Sequence, residues 1–222
     1  MTADHIIVHD TRLAGQVFPH PELCVIETHC QPIARIAARI NEAVTTTASM
    51  SGAPSMRLSS ARSPARVLSI FAHGVTVTSG PVDWAMQVGL EYIHRNNALE
   101  FGRSIRGCIS DRIRVMCCNG ARSDDARAAC RALARGAGVQ VFAATTVQNF
   151  SQLETRPSFA GYPLTSAHPR GGWINFGRWE GTVLAFPPSG GEGRVAFEGP
   201  LPEIHPADDG GGGTVGDGIF CE

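Results

Sequence analysis

Two apolar runs near the middle of the chain each end at a polar, reactive residue that is followed by glycine. Residues 66–74 read RVLSIFAHG, and residues 112–121 read RIRVMCCNGA. Runs that are apolar almost throughout are typical of central strands in a parallel sheet, which are covered on both faces. The stretch between them is long enough for the crossover helix that neighbouring parallel strands require. The pattern therefore predicts two adjacent parallel strands with reactive residues at their carboxyl ends.

The flanking sequence predicts further strands and helices in alternation. The strands predicted from β-prone runs cover residues 5–9, 23–28 and 139–144. The helices predicted from apolar residues at helical spacing cover residues 31–44, 90–101 and 123–137. The hairpins predicted from alternating residues cover residues 75–88 and 173–186. This order of elements predicts an α/β fold with a mainly parallel central sheet.

The composition divides the chain into one domain and a tail. Residues 1–186 are predicted to form a single α/β domain. Within it, residues 45–65 are rich in Ser, Thr, Gly, Ala and Pro, which predicts a flexible loop. Residues 187–222 carry many glycines and few apolar side chains, and we expect them to form a disordered tail.

Charge and hydropathy exclude several classes of partner. The formal net charge of the 222 residues is −1, so we expect no interaction with nucleic acid or an anionic membrane. No apolar run approaches the roughly 20 residues of a membrane-spanning helix. The first residues lack the pattern of a signal peptide, so we expect a cytoplasmic location or export by a signal-peptide-independent route. Seven cysteines without a framework spacing favour a reducing compartment.

The two reactive strand ends predict a nucleophilic site. The carboxyl ends of parallel neighbours meet at one edge of a sheet, where open α/β sheets bind their ligands. His73 and Cys118 would then lie side by side, and the imidazole could take up the thiol proton. The glycine after each reactive residue lets a substrate approach and leaves backbone N–H groups free to bind an oxyanion.

The same residues resemble a known group of enzymes. Caspases carry the pentapeptide Q-A-C-[RQG]-G with a histidine about 50 residues upstream, and residues 116–120 (MCCNG) align with that pentapeptide. Residues 66–150 thus resemble the caspase-like cysteine peptidases, a group that also includes gingipains, legumains and separase. The resemblance implies a three-layer α/β/α sandwich of caspase-like topology. It also implies a cysteine endopeptidase in which Cys118 is the nucleophile, His73 the acid and base, and the N–H groups of Gly74 and Cys118 the oxyanion site.

The chain departs from the caspase motif in ways that leave two points open. Met116 and Asn119 replace the Gln and Arg of the motif, so aspartate specificity is not implied. The doubled cysteine also leaves the register open by one residue, because gingipain- and legumain-like motifs would make Cys117 the nucleophile. Cys118 is preferred, since these families place a small residue before the nucleophile, and Cys117 meets that requirement whereas Met116 does not.

Other interpretations of the same residues remain. A catalytically silent caspase-like scaffold or partner-binding domain is the main alternative, since no third group that orients His73 can be identified. A zinc site and a vicinal disulfide are weaker alternatives, because adjacent cysteines fit poorly to the C-x2-4-C pairs of structural zinc sites. The residues of that zinc site would be His94, Cys117, Cys118 and Cys130. We expect a peptide or protein substrate and no cofactor or metal, and the oligomeric state stays open.

Overall fold

The apolar runs that predict central strands pair in a seven-stranded sheet. The computed structural model describes residues 4–13, 16–17, 21–45, 63–77, 81–148, 158–159, 162–163 and 179–199. The strands of the sheet are β1 (His5–Asp10), β2 (Leu23–Thr28), β3 (Ala65–Phe71), β7 (Ile109–Met116), β8 (Gln140–Ala144), β11 (Thr182–Phe186) and β12 (Arg194–Glu198). Their order is β12-β11-β8-β7-β3-β1-β2. The strands from β2 to β8 are parallel, and β11 and β12 are antiparallel additions. This confirms the α/β class and the mainly parallel sheet.

Two smaller sheets lie outside the main one. The first contains β4 (His73–Thr76), β5 (Trp84–Val88) and β6 (Glu91–Ile93) in antiparallel order. The predicted hairpin over residues 75–88 is therefore confirmed, and it begins directly after β3 with His73. The second sheet pairs β9 (Ser158–Phe159) with β10 (Tyr162–Pro163).

Three helices follow the predicted apolar periodicity to different degrees. α1 (Ile33–Thr45) buries Ile36, Ala37, Ile40 and Val44, which is the predicted face. α3 (Asp124–Ala137) begins at Ser123, whose Oγ accepts a hydrogen bond from the N–H of Ala126, and it ends at Gly138 with φ 80°. α2 (Ala98–Ser104) is shorter than expected. None of the described helices is both long and apolar enough to span a membrane.

The predicted crossover helix over residues 90–101 is wrong in its first half. Gly89 has φ 64° and turns the chain from β5 into β6, so Leu90 is exposed. The N–H of His94 then bonds to Oδ1 of Asn97, and the helix begins only after that turn. These local hydrogen bonds outweigh the apolar spacing of Leu90 and Ile93 that suggested a longer helix.

The two faces of the sheet differ in what covers them. Side chains of β1 alternate, so that Ile6 and Val8 pack against the three helices while Ile7 belongs to a separate apolar cluster. We call these the helix face and the far face. The far-face cluster contains Ile7, Phe71, Met116, Ala144, Val183 and Trp179. The second helical layer of a three-layer sandwich is not among the described residues.

The expectation of a disordered tail over residues 187–222 is wrong for its first part. β12 lies inside that segment and pairs with β11 at the edge of the sheet. Val195 and Phe197 remain 62% and 40% exposed, so the strand lacks the buried apolar pattern that would have marked it in the sequence. The predicted partner of β11, residues 173–176, lies outside the described residues. So do residues 46–62 of the expected loop and residues 200–222 of the tail.

α2 and α3 are in contact through two glycines. An added Cβ on Gly136 would lie 2.4 Å from the carbonyl oxygen of Leu99. An added Cβ on Gly102 would lie 2.7 Å from the carbonyl oxygen of Leu133. Both distances are shorter than a nonbonded carbon–oxygen contact, so the two helix backbones depend on the missing side chains for their close approach.

We therefore expect Gly136→Ala to destabilise the protein by about 1–3 kcal/mol, the range for a side chain forced into packed structure. Helix propensity alone predicts the opposite sign, since alanine is favoured over glycine inside a helix by about 1 kcal/mol. Urea unfolding gives the free energy, and Ala128→Gly on the same helix measures the propensity effect without the contact. A Gly136→Ala variant more stable than wild type would contradict the close packing of the two helices.

Candidate functional site

The two reactive residues follow the ends of adjacent parallel strands. Phe71, the last residue of β3, is in register with Met116, the last residue of β7. The N–H of Ala72 donates to the carbonyl of Met116 at 3.3 Å and extends this pairing by one residue. His73 and Cys118 thus leave the same edge of the sheet at the same level, two residues beyond the paired ends.

Gly74 is in direct contact with the backbone of Cys118. A Cβ added to Gly74 would lie 1.9 Å from the carbonyl oxygen of Cys118 and 3.2 Å from its backbone nitrogen. Any residue with a side chain would force the two segments apart. Glycine is therefore needed after His73, because only a residue without a side chain lets the backbone of the His73–Gly74 segment pack against Cys118.

The N–H of Gly74 is not used in its own hairpin. Hydrogen-bonded pairs alternate along an antiparallel ladder, and the N–H of Val77 donates to the carbonyl of Asp83 at 3.0 Å. Counting back from that pair, Gly74 and its partner Met86 form a non-hydrogen-bonded pair. The N–H of Gly74 therefore points away from β5, as an oxyanion donor must.

A set of hydrogen bonds fixes the hairpin to the turn that carries Cys118. Nε1 of Trp84 donates to the carbonyl of Cys118 at 3.2 Å. The N–H of Asp83 donates to Asp125 at 2.7 Å, and Oγ of Ser123 bonds to Oδ1 of Asp83 at 2.8 Å. Asp125 also binds the guanidinium of Arg95. Asp125, in the first turn of α3, thus anchors the hairpin.

The thiol of Cys118 is half-buried and protonated. Its Sγ lies 3.7 Å from the carbonyl oxygen of Gln148, towards which an S–H group can donate. Burial raises the pKa of Cys118, and the nearby carboxylate of Glu180 adds to the rise, while the Gln148 backbone acts in the opposite direction. The neutral thiol is therefore the resting form, and a thiolate has to be generated during a reaction.

Cys117, the alternative nucleophile, lies in the core of the helix face with no exposed surface. Burial raises its pKa well above the ordinary value, and the neighbouring Cys118 and Cys130 contribute in the same direction. Nucleophilic attack from this position would require the turn to open. Of the two cysteines, Cys118 is the one with access to solvent.

The cysteines of the alternative zinc site do not come together with His94 as a metal-binding group in the described part of the chain. Cys117, Cys118 and Cys130 carry free thiols, whereas Cys30 is disulfide-bonded. Sγ of Cys130 donates to the carbonyl of Gly120 at 3.3 Å, and burial raises the pKa of Cys130 to about 12. Within the part of the chain that the structure describes, no group of three or more His, Cys, Asp or Glu side chains could hold a metal ion.

Asn119 adopts a strained backbone conformation next to the thiol. Its φ of 55° is the only positive value of a non-glycine residue among the described residues. Its N–H donates to Thr146 at 2.9 Å, and its carbonyl accepts from Arg122 at 3.1 Å. Oδ1 of Asn119 is buried without a hydrogen-bond partner in the described structure. Left-handed backbone and an unsatisfied acceptor are both costly, and such features concentrate at functional sites.

A cavity of about 410 Å³ opens beside Asn119. Its volume falls in the range of small-ligand pockets. It lies between the hairpin and the start of α3, and neither His73 nor Cys118 is among its lining residues. These are Thr76, Asp83, Trp84, Asn119, Arg122 and Ser123.

His73 is half-buried in β4, directly opposite Gln87 on β5. Paired residues of an antiparallel ladder present their side chains on the same face. Gln87 is buried, and its Nε2 lies 3.2 Å from the hydroxyl of Tyr92. The position opposite the histidine is therefore held by an amide instead of a carboxylate.

The sequence did not reveal the roles of two residues of the site, Gln148 and Trp84. Nε2 of Gln148 donates to the carbonyl of Glu180 at 2.8 Å, and Oε1 of Gln148 accepts from the N–H of Glu180 at 3.0 Å. This amide joins the segment beside Cys118 to the start of β11, and no local pattern reveals it. The sequence placed Trp84 in the hairpin over residues 75–88, and nothing in the pattern indicated that its indole N–H bonds to the carbonyl of Cys118.

Comparison with known proteins returned no match, whether against protein families, curated proteins or solved structures.

The strain at Asn119 predicts an unusual order of stability. The left-handed backbone conformation costs about 1 kcal/mol or more of conformational free energy in alanine and little in glycine. Asn119→Gly should therefore be more stable than Asn119→Ala by about 1 kcal/mol in thermal or urea unfolding. The same two substitutions at Asn96, an exposed turn residue with ordinary φ, serve as the control. Equal stability of the two Asn119 variants would show that the turn is not strained.

The neutral thiol predicts the pH dependence of labelling. Because burial raises the pKa of Cys118, its labelling by iodoacetamide should be slow at neutral pH. The rate should climb only above the ordinary thiol pKa of about 8.5. Site mapping by mass spectrometry at several pH values measures this, with the urea-unfolded chain as reference. A labelling rate that is already maximal at pH 6.5 would mean that the resting protein holds a thiolate.

Proposed function

We propose that the protein is a cysteine hydrolase of peptide bonds that uses His73 and Cys118. The observation that carries the proposal is the contact of Gly74 with the backbone of Cys118, at the edge where β3 and β7 end side by side. That contact brings together a thiol, an imidazole-bearing segment and a backbone N–H that is not used in its own hairpin. These are the three groups that acyl transfer to a cysteine requires.

In the proposed reaction, His73 removes the proton from Sγ of Cys118 as the sulfur attacks the carbonyl carbon of the scissile peptide bond. The oxyanion accepts hydrogen bonds from the N–H groups of Gly74 and Cys118. The imidazolium of His73 then returns its proton to the leaving amine, and an acyl-thioester remains on Cys118. A water molecule, deprotonated by His73, hydrolyses the thioester and regenerates the free thiol.

The raised pKa of Cys118 determines which form of this mechanism applies. A preformed thiolate–imidazolium pair does not fit a thiol that burial keeps protonated. Proton removal by His73 therefore accompanies attack, after the substrate has entered. The cavity beside Asn119 offers a place for such a substrate, because Asn119, one of its lining residues, directly follows Cys118 in the chain.

The strand order supports the finer assignment of the fold as caspase-like. His73-Gly74 and Cys118 follow β3 and β7, which are neighbouring parallel strands, and in the caspase-like group a His-Gly and a Cys end neighbouring parallel strands. The hairpin that begins at His73 overhangs the same edge. The three-layer sandwich remains part of this proposal, as does a peptide or protein substrate.

A catalytically silent scaffold is the second candidate. Two observations favour it: the thiol is neutral, and the residue opposite His73 is Gln87 instead of a carboxylate that would stabilise an imidazolium. In a scaffold, the cavity beside Asn119 would bind a partner segment without cleaving it.

A peptide acyloxymethyl ketone library separates the two candidates, because such probes need an activated thiol and report the modified residue. For a hydrolase, we expect Cys118 to be labelled at neutral pH. His73→Gln should slow that labelling by about 100-fold or more, the usual contribution of a general base. Iodoacetamide at high pH should label Cys118 equally in both proteins, because that reaction needs no base.

Two control variants make the result specific. His29→Gln changes an exposed histidine at the end of β2 and should leave probe labelling unchanged. Cys117→Ala should also retain labelling, and alanine is used because a serine hydroxyl would be unsatisfied in the core. Labelling that is equally fast in wild type and His73→Gln, or a wild type that no probe labels, would favour the scaffold.

A further inference from the structure

A second cavity, of about 400 Å³, lies on the far face of the sheet. Arg112 and Arg114 project into it from β7, and Arg66 lines its rim. Aromatic side chains from three other segments complete the wall. Its lining residues are His5, Arg66, Val67, Arg112, Arg114, Phe142, Trp179 and Phe197.

Arg114 occupies a costly position. It lies at the middle strand of the sheet, between Ser69 on β3 and Phe142 on β8. Burial lowers the pKa of its guanidinium to about 10, and the charge of Arg112 contributes to the decrease. Within the described residues it forms no ion pair and no hydrogen bond. A partly buried cation without a counter-ion destabilises a fold unless an anion compensates it.

The other charged groups of the cavity do not provide that anion. Asp111 pairs with Arg112 at 2.7 Å, and Asp4 pairs with Arg66 at 3.6 Å at the surface. His5 bonds to the hydroxyl of Ser69 at 2.8 Å, and burial lowers its pKa to about 4, with Arg114 as the second cause. His5 is therefore neutral at physiological pH. Among the described residues, the charge of Arg114 is therefore uncompensated.

Aromatic rings hold the two central guanidinium groups in place. The guanidinium of Arg114 lies 5.5 Å from the ring centroid of Trp179, and that of Arg112 lies 5.7 Å from that of Phe142. Trp179 is itself held by an edge contact with Phe197 at 6.2 Å. A guanidinium stacked on a ring keeps its N–H groups in its own plane, where they can bind an anion.

We propose that this cavity binds a small anion that carries phosphate or carboxylate groups. Arg112 and Arg114 are two residues apart on one strand, so their side chains leave the sheet about 6.6 Å from each other. Nε and Nη2 of Arg112 donate to Asp111, which leaves its Nη1 group for a ligand. The spacing of the two side chains lets the guanidinium of Arg114 and the Nη1 group of Arg112 hold one oxyanion from two sides, or two oxyanion groups of one molecule. The site is independent of the proposed hydrolase activity, since none of its residues belongs to the Cys118 turn.

The test measures anion binding to the full chain by isothermal titration and thermal unfolding. The probes are inorganic phosphate, glucose 6-phosphate and citrate, with sodium chloride at equal ionic strength as reference. Phosphate and glucose 6-phosphate report phosphate recognition, and citrate reports carboxylate recognition. At least one of them should raise the melting temperature, by an amount that grows with the logarithm of its concentration once that exceeds the Kd.

Arg114→Met keeps the length of the side chain and removes its charge. We expect it to weaken binding by about 10- to 100-fold, the range for a lost hydrogen bond to a charged group. Without anion, the variant should unfold at the same temperature as wild type or higher, because it removes a buried charge. Arg103→Met, at an exposed position at the end of α2, should bind as wild type does. Arg112→Met provides a second test at a more exposed position should Arg114→Met fail to fold.

Three results would overturn the proposal. The first is a wild type that responds to none of the three anions beyond the chloride reference. The second is equal binding by wild type and by whichever of the Arg114→Met and Arg112→Met variants fold. The third is an Arg114→Met variant that folds, binds the anions as wild type does and unfolds at a lower temperature. That result would show that Arg114 stabilises the fold through its contact with Trp179 and binds no anion. Each can occur whether or not Cys118 is labelled by peptide probes.

Discussion

The candidate site depends on the register between β3 and β7. With Phe71 opposite Met116, the next residues of both strands leave the sheet together, and Gly74 meets the backbone of Cys118. A shift of β3 by one residue relative to β7 would exchange the side chains on the two faces of β3, and His73 and Cys118 would no longer follow the sheet edge at the same level. Trp84 and Asp125 hold the hairpin against Cys118, so the contact is fixed from both segments. The geometry of the candidate site therefore depends on strand pairing, and the hairpin holds the two segments together.

The two faces of the sheet carry different kinds of residue for a physical reason. The helix face receives three amphipathic helices and is apolar almost throughout. The far face combines apolar residues near the reactive edge, such as Phe71 and Met116, with polar residues near the opposite edge, such as His5 and Arg114. Burying a charge on the middle strand opposes folding. The position of Arg114 beside the ring of Trp179 is understandable if the charge has a binding partner, which is the reason for proposing an anion site on this face.

The sequence predicted those parts of the molecule that depend on local pattern. The strands around residues 66–74 and 112–121 follow from apolar runs, and α1 and the start of α3 at Ser123 follow from apolar residues at helical spacing. The bonds between Gln148 and Glu180 join residues far apart in the chain, and such contacts leave no local trace. β12 was missed because an edge strand with exposed Val195 buries too little apolar surface to be recognised. The approach of the His73–Gly74 segment to the backbone of Cys118 could be predicted from topology alone, whereas the protonation of the thiol depends on side chains that only the structure places beside it.

The neutral thiol also changes what the site implies. A turn that served only packing could place alanine or serine at Cys118 and would gain nothing from the left-handed backbone of Asn119. The neighbouring Cys117 shows the packing role, since it is fully enclosed among apolar side chains. Cys118 is partly exposed, and its environment raises the pKa, which suppresses reaction with oxidants and other electrophiles in the absence of substrate. In the proposed mechanism the proton passes to His73 as the sulfur attacks, so no resting thiolate is needed. A raised resting pKa of Cys118 is therefore consistent with an enzyme whose nucleophile forms only during the reaction.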